Sequence, residues 1–376
     1  MIHCPIIIVG GGPVGLSLAL ELAKQGKNIT VIDQGLDKRS DGRVLALAIS
    51  SQQFLAKLDA WPHDQVTAID CVEISHHGLG ISQITAESVD LEHLGYTVRY
   101  SDVCQAALAQ VSQNKHIRLI HAEVTSVDDG TEYATICYRE ADGVSEQIIT
   151  ADLLIMAEGG KLLNDYPKKI KHDYQQMALV AEIKTAKPNE GRAYERFAGS
   201  GPLVLLPFND NFVMVWSLPT EQAQQLQTDE SSLIELLNRE FTNRLGGATL
   251  LSKPVCFPLK LTQTKKRVFR RMILIGNSAQ IVHPVSAQGL NLGLRDVQVL
   301  SGVLAKNSKI EITDVAVFDK LRDKDAMAVI NFTHFLATKL ESKSKIVGHL
   351  RGAGIIALSN MPPVQNFVAR SLIFGV

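Results

Sequence analysis

The 376-residue sequence predicts an α/β fold with a β-sheet insertion, and three observations carry that prediction. A glycine-rich turn lies between a short apolar run and an amphipathic stretch at the amino terminus. A second Gly- and Asn-rich loop follows another apolar run near residue 276. Between the two lies a block of close-set, strand-like segments. Glycine turns between strand and helix mark parallel βαβ units, whereas short strands broken by Gly, Pro and Asn-Asp build antiparallel sheets.

The first unit reads as a strand over Ile6–Val9 and a helix with Leu16, Leu18, Ala19, Leu22 and Ala23 inward. The helix ends near Gly26, and a buried strand follows over Ile29–Ile32. Val103–Val111 has helical spacing, and Ala151–Ala157 is a further buried strand closing on Glu158-Gly159-Gly160. From Met177 the texture changes to MALVAEIKT, GRAYERFAG, GPLVLLPF and FVMVWSL, an antiparallel sheet, with a polar helix after it around Glu230–Arg244. Met272–Ile275 returns to a strand, Leu290–Leu304 to a helix, and Val315 onward is mostly helical. The domains are therefore a cofactor domain of 1–170 and 266–310, a β-sheet substrate domain of 171–265, and a C-terminal helical region of 311–376.

Thirty-eight basic against 39 acidic side chains leave no bulk charge to attract nucleic acid. Cys4, Cys71, Cys104, Cys137 and Cys256 are odd in number and form no CxxC pair, so they read as reduced thiols, and no metal-ligand spacing occurs. The opening residues have no basic leader region and no run of eighteen apolar residues exists, so the expectation is a cytoplasmic protein without a membrane span. The mixed basic and apolar stretch from Lys343 through Ile355 to Phe374 offers either core packing or a contact with a lipid surface or partner subunit. Oligomeric state is left open.

Gly10-Gly11-Gly12-Pro13-Val14-Gly15 is a G-x-G-x-x-G turn in a strand–helix context, and Asp33 ends the next strand. Such a turn brings backbone N–H groups and a positive helix end to a pyrophosphate, and the acid reaches an adenosine ribose. The fold is thus Rossmann-like and the ligand a dinucleotide, with FAD and NAD not separated by this motif. Gly352-Ala353-Gly354 lacks a preceding strand and a following acid, so it reads as helix packing.

The second loop, ILIGNSAQIVHPVSAQGLNLGLRD over residues 273–296, resembles the flavin loop of the group A flavin monooxygenases, the para-hydroxybenzoate hydroxylase superfamily. Asp41-Gly42-Arg43 with Leu45-Ala46-Leu47, and the segment from Glu190 to Pro207, are similar to the ubiquinone-biosynthesis hydroxylases, in particular the branch acting on 2-octaprenyl-6-methoxyphenol. The resemblance spans nearly the whole chain. It implies FAD as cofactor, NAD(P)H as electron donor, O2 as co-substrate and a hydrophobic phenol with a polyprenyl tail as substrate.

By that resemblance Gly10, Gly12, Pro13, Val14, Gly15 and Asp33 hold the ADP half of FAD. Arg43, Gln105 and Val124 fall where the family contacts the rest of the cofactor. Gly276 and Asn277 serve the ribityl chain, and Pro284, Ala287, Gln288, Gly289, Leu290 and Asn291 line the flavin ring. Of these, Pro284, Gln288 and Gly289 form the catalytic loop, and no residue stands out as a base for the phenol. A surface ion pair for Arg43 and a solvated helix residue for Gln105 are the weaker alternatives to these roles. His283 reads as a loop-capping residue, and Trp216 and Phe197 as sheet core. The chain departs from the family pattern at Glu158, Asn277, Gln280 and Ala287, and lacks the Ser and Arg that usually follow Glu158. A flavin reductase or oxidase on the same fold, or a catalytically silent subunit of a quinone-biosynthesis complex, therefore stand as alternatives.

Overall fold

The aliphatic run at the amino terminus becomes the middle of a parallel sheet. The computed structural model describes residues 2–35, 41–76, 80–140, 143, 145–163, 166–241, 244–305, 312–338 and 360–375. Strand Ile2–Val9 has a parallel neighbour on each side, and Ile6–Val9 is buried throughout. A strand covered on both faces needs a continuous apolar run instead of an alternating one. The parallel strands lie in the order Ile117–Asp129, Ile29–Asp33, Ile2–Val9, Gln147–Met156 and Met272–Leu274. Strand Ala134–Glu140 runs antiparallel and bridges the outer part of Ile117–Asp129 to the start of Gln147–Met156. Helices Pro13–Lys24, Tyr100–Ser112 and Gln288–Leu304 share one apolar core with a face of this sheet.

The second sheet does not keep to residues 171–265. Its nine strands include Cys71–His76 and Ile81–Thr85, and Gln280–Ile281 at the other edge. Nor is it wholly antiparallel, since Arg192–Ala198 pairs parallel with Cys71–His76. The strands at 71–85 give little signal in the sequence because CVEISH and ISQIT are short, rich in polar residues and far from the main block. A third, three-stranded sheet of Val44–Ala48, Gly95–Arg99 and Val66–Ile69 connects the two larger ones.

Alternation gives the large sheet two different faces. Leu179, Leu203, Leu205, Met214 and Trp216 turn to helices Thr220–Thr228 and Glu230–Phe241. These are two helices where the sequence suggested one. Asp229 separates them and accepts the Ser232 N–H at 3.0 Å as the cap of the second. Pro202, Val204 and Leu206 face the opposite way, toward the cofactor sheet. The C-terminal region supplies helices Ile312–Thr338 and Pro362–Phe374, while residues 343–356, Gly352-Ala353-Gly354 among them, lie outside the described residues. Among the described residues no helix is long and apolar enough to cross a membrane.

One buried ionic group joins these parts. The Asp296 carboxylate accepts the Gly276 N–H at 2.9 Å, the Gln280 amide at 3.2 Å and the Arg322 guanidinium at 2.7 Å. Arg322 also donates to Asp325, which pairs in turn with Arg295. Removing one partner of a buried pair leaves an uncompensated charge, at a cost of about 3–5 kcal/mol. Asp296→Ala is therefore expected to lower the unfolding free energy by about that amount; a urea-melt difference below about 1 kcal/mol would show that the group is not structural.

Candidate functional site

Each parallel strand delivers residues to a single cavity of about 940 Å3. Val9 and Gly10, Ile32 and Asp33, Ala122 to Val124, Ala157 to Gly159, and Ile275 to Asn277 come from or just after the five strands. This carboxyl edge is where open parallel sheets bind ligands.

The first glycine turn is closed by contact distances. A Cβ on Gly15 would stand 1.9 Å from the Gly10 carbonyl oxygen, and one on Gly10, whose φ is +108°, would stand 2.5 Å from the backbone of Ala157. Gly15 accordingly lies behind the cavity wall and works by helix–strand packing. Gly12, Pro13 and Val14 form the wall itself. Gly12 is the N-cap of helix Pro13–Lys24 with extended backbone and no side-chain cap, so the leading amides remain open to an anion. Pro13 lacks only an N–H that the first turn would not use. Asp33 accepts the Gly11 and Gly35 amides, each at 2.7 Å, which fixes its carboxylate on the wall.

The second turn repeats the device. Ala287 is the N-cap of helix Gln288–Leu304, again without a side-chain cap, and Gly289 and Leu290 line the cavity beside Pro284. Ser286 and Ala287 are both left-handed, at φ +64° and +49°. The methyl of Ala287 thus sits where glycine is favoured. Asn277 is exposed on the wall. Gln280 is not idle: its side-chain oxygen accepts the Arg267 guanidinium at 2.9 Å while its amide reaches Asp296.

Glu158 has a definite task. Its carboxylate accepts the Gly160 and Lys161 amides at 2.7 and 2.8 Å and the Ser278 hydroxyl at 3.3 Å, so it stitches the turn after strand Gln147–Met156 to the second glycine loop. Arg43 lines the cavity and is ion-paired with Asp41, which also lines it; surface pair and wall residue are the same arrangement. Val124 lines it as well.

Three expected contacts are placed differently. Gln105 is exposed on helix Tyr100–Ser112 and outside the wall, because Val103, Cys104, Ala107 and Val111 take the inward positions. Tyr100, at the start of that helix, lines the cavity instead. Gln288 is buried behind the loop, donating to the Ser286 carbonyl at 3.0 Å, and is not on the wall. Asn291 is a tether: its side-chain oxygen accepts the Ala48 N–H at 3.0 Å and the Ser51 hydroxyl at 2.7 Å, and its amide donates to Ala287 at 2.9 Å.

His283 is fully buried, and its Nδ1 accepts the Val285 N–H at 3.2 Å, a loop cap. Burial, helped by nearby His334, pushes its pKa down to about 4. Phe197 packs on Val285 of the flavin loop, and Trp216 lies on the far face of the sheet. The part of the wall opposite the cofactor sheet is mainly apolar: Pro202, Val204, Leu206 and Val215 come from the large sheet, with the Ser217 hydroxyl among them. Nothing in the sequence ties these positions to residues 276–290; only the sheet pairing does.

Two uncapped helix N-termini and a strand-end carboxylate opening on one cavity suit FAD, whose pyrophosphate and electron-rich pyrimidine edge both accept from amide donors. The chain belongs to the FAD-binding domain family, which it matches over residues 3–311. It has the group A flavin monooxygenase fold, and its relatives include ubiquinone hydroxylases. It is 26% identical to the ubiquinone hydroxylase UbiM of Neisseria meningitidis over 99% of this chain and 85% of that one. To the 3-demethoxyubiquinol 3-hydroxylase of Escherichia coli it is 29% identical over 80% and 79% of the two chains. The fold matches that of p-nitrophenol 4-monooxygenase PnpA from Pseudomonas putida with a TM-score of 0.80 at 14% identity, covering 99% and 98%.

A side chain at Gly12 would meet the Tyr100 hydroxyl at 2.9 Å and cover the open amides, so Gly12→Val is expected to purify without flavin colour; full flavin content would remove this turn from the site. Ala287→Gly should act oppositely, relieving roughly 1–2 kcal/mol of left-handed strain less roughly 0.5–1 for glycine's freedom, and a lowered thermal midpoint would contradict it. For His283 the folded pKa lies below the ordinary 6.5, so the unfolded chain binds the proton first and stability falls as pH drops from 6.5 to about 4. The loss is at most roughly 3 kcal/mol. His283→Asn should flatten stability against pH across that window, as followed by denaturant midpoints.

Proposed function

We propose that the protein hydroxylates the ring of a polyprenyl-methoxyphenol in ubiquinone biosynthesis, with FAD as cofactor, NAD(P)H as electron donor and O2 as co-substrate. The observation that carries this reading is the continuity of one cavity between two chemistries: open amides on the cofactor side, and the apolar wall of Pro202, Val204, Leu206 and Val215 on the other. A hydrophobic ring laid against that wall lies beside the loop of Pro284, Val285 and Ala287. The names of the relatives support the same substrate class.

The cofactor, when bound, supplies the redox chemistry, and the chain supplies position and exclusion of water. Gly12 to Val14 and Asp33 anchor the dinucleotide half, Asn277 and the Gly289 amide meet the flavin half, and the large sheet closes the substrate side. In the overall reaction O2 takes two electrons from NAD(P)H and two from the ring C–H bond; one oxygen atom enters the ring as hydroxyl and the other leaves as water.

Purified holoenzyme supplied with 2-methoxy-6-prenylphenol, NADH or NADPH, and 18O2 tests this. The expected result is a yellow protein, phenol-dependent oxidation of the nicotinamide, and product carrying one 18O. Oxidation without label in the product would assign a reductase or oxidase. Absence of both flavin and oxidation would assign a silent subunit.

A further inference from the structure

Across the cavity-facing side of the large sheet runs a row of directly opposed residues: Ile74, Glu195, Val204, Val215 and Val180. Val204 and Val215 are cavity wall; Glu195 is not itself on the wall but is the next position along from these two, with Cβ atoms of such pairs about 4.5–5.5 Å apart. Its neighbours along the strand on the same side are Ala193 and Phe197, and Phe197 and Ile74 pack with Val285 of the flavin loop. A carboxylate has thus been set in an aliphatic row that borders the ring-binding end.

Glu195 lacks the support that the other buried acids have. Glu73 is paired with Arg192 and Arg244, and Asp296 with Arg322. Among the described residues Glu195 makes no ion pair and no hydrogen bond, and its Oε1 is buried without a partner. The adjacent Arg196 belongs to the opposite face and pairs with Glu240. Glu195 is part-exposed as a residue, yet one carboxylate oxygen is sealed from solvent without a partner; that is costly and has no packing advantage over Gln or Leu, so the unpaired oxygen points to a ligand.

We infer that Glu195 is the base that takes the proton of the substrate's phenol hydroxyl, a step that rests on reading this cavity as a phenol-hydroxylating site. The substrate O–H bond breaks and a Glu195 O–H bond forms. The negative charge moves from carboxylate to ring oxygen, no electrons are transferred, and the proton returns to product or solvent at release. A phenolate ring is richer in electrons at the carbons ortho and para to its oxygen, which is where a hydroxyl is added. Burial alone pushes the Glu195 pKa up to about 7, which narrows its gap to a phenol near 10. His76, opposite Phe197, is the titratable side chain on the same side of the adjacent strand.

The test compares wild type, Glu195→Gln and Glu195→Asp holoenzymes with 2-methoxy-6-prenylphenol. Glu195→Gln keeps the shape and cannot accept the proton, so kcat should fall roughly 10²–10⁴-fold while FAD content and KM stay within about threefold. Independently of turnover, the ultraviolet phenolate band of the bound phenol should appear at lower pH on wild type than in free solution, and that shift should vanish in Glu195→Gln and persist in part in Glu195→Asp. An unchanged kcat and unchanged phenolate titration would overturn the assignment. Should wild type bind and ionise the phenol without hydroxylating it, the base stands and the hydroxylase reading fails; a phenol that does not bind overturns both. If Glu195→Gln does not retain flavin, the wild-type and Glu195→Asp titrations decide, and a bound phenol that titrates like the free one in wild type excludes the role.

Discussion

The position of the second glycine loop depends on the Asp296 carboxylate, and through that loop so does half the cofactor site. Asp296 is wholly buried on helix Gln288–Leu304, yet it binds the first amide of the loop, the Gln280 side chain and a guanidinium from the C-terminal helix. A buried ion pair adds little net stability over a well-packed apolar group. Its contribution here is geometric: three segments separated in sequence must meet at one pair of oxygens. Asn291 performs the neutral equivalent one turn earlier, tying the same helix to strand Val44–Ala48, whose residues also line the cavity.

With the loop held from behind, strain at its front can be tolerated. Ser286 and Ala287 take left-handed conformations in succession just before the helix, and each is overdetermined by bonds around it: Ala287 N–H donates to Pro284, and the Gln288 amide to Ser286. His283 contributes by staying neutral, because only an unprotonated Nδ1 can accept the Val285 amide. The chain thus uses caps and ion pairs on the hidden side of the loop, and leaves backbone donors on the open side where a cofactor needs them.

The cofactor half was legible in the sequence because its requirements are local. Gly10, Gly15 and Asp33 announce themselves by spacing, since backbone approach and strand-end acidity are set within one βαβ unit. The substrate half was not. Val204, Val215 and Glu195 become neighbours only through cross-strand register, which no residue pattern encodes, and the strands at 71–85 were too short and polar to be counted in the sheet. Gln105 differs for a related reason: it is two residues, about 200° around the helix, from Val103 and Ala107 of the apolar face, and a motif carried over by position does not register that rotation. Glu158, Gln280 and Ala287, which depart from the family pattern, each have identifiable partners or a definite conformation, so the loop is rebuilt and not eroded.

The route of the chain between the sheets has a consequence for how the protein comes into being. Strand Ile2–Val9 pairs with Gln147–Met156, the chain then leaves to build most of the large sheet, and Met272–Leu274 returns to the first one before Gln280–Ile281 crosses back again. Neither sheet is a contiguous piece of polypeptide, so neither is available as an autonomous folding unit. Contacts of such long sequence separation are closed late and slowly. During synthesis, the dinucleotide turn at residues 10–15 is made first, but the wall opposite it does not exist until residues near 290 have left the ribosome. Flavin capture therefore waits until most of the chain is made, and a nascent chain truncated before that point carries the fingerprint without the pocket.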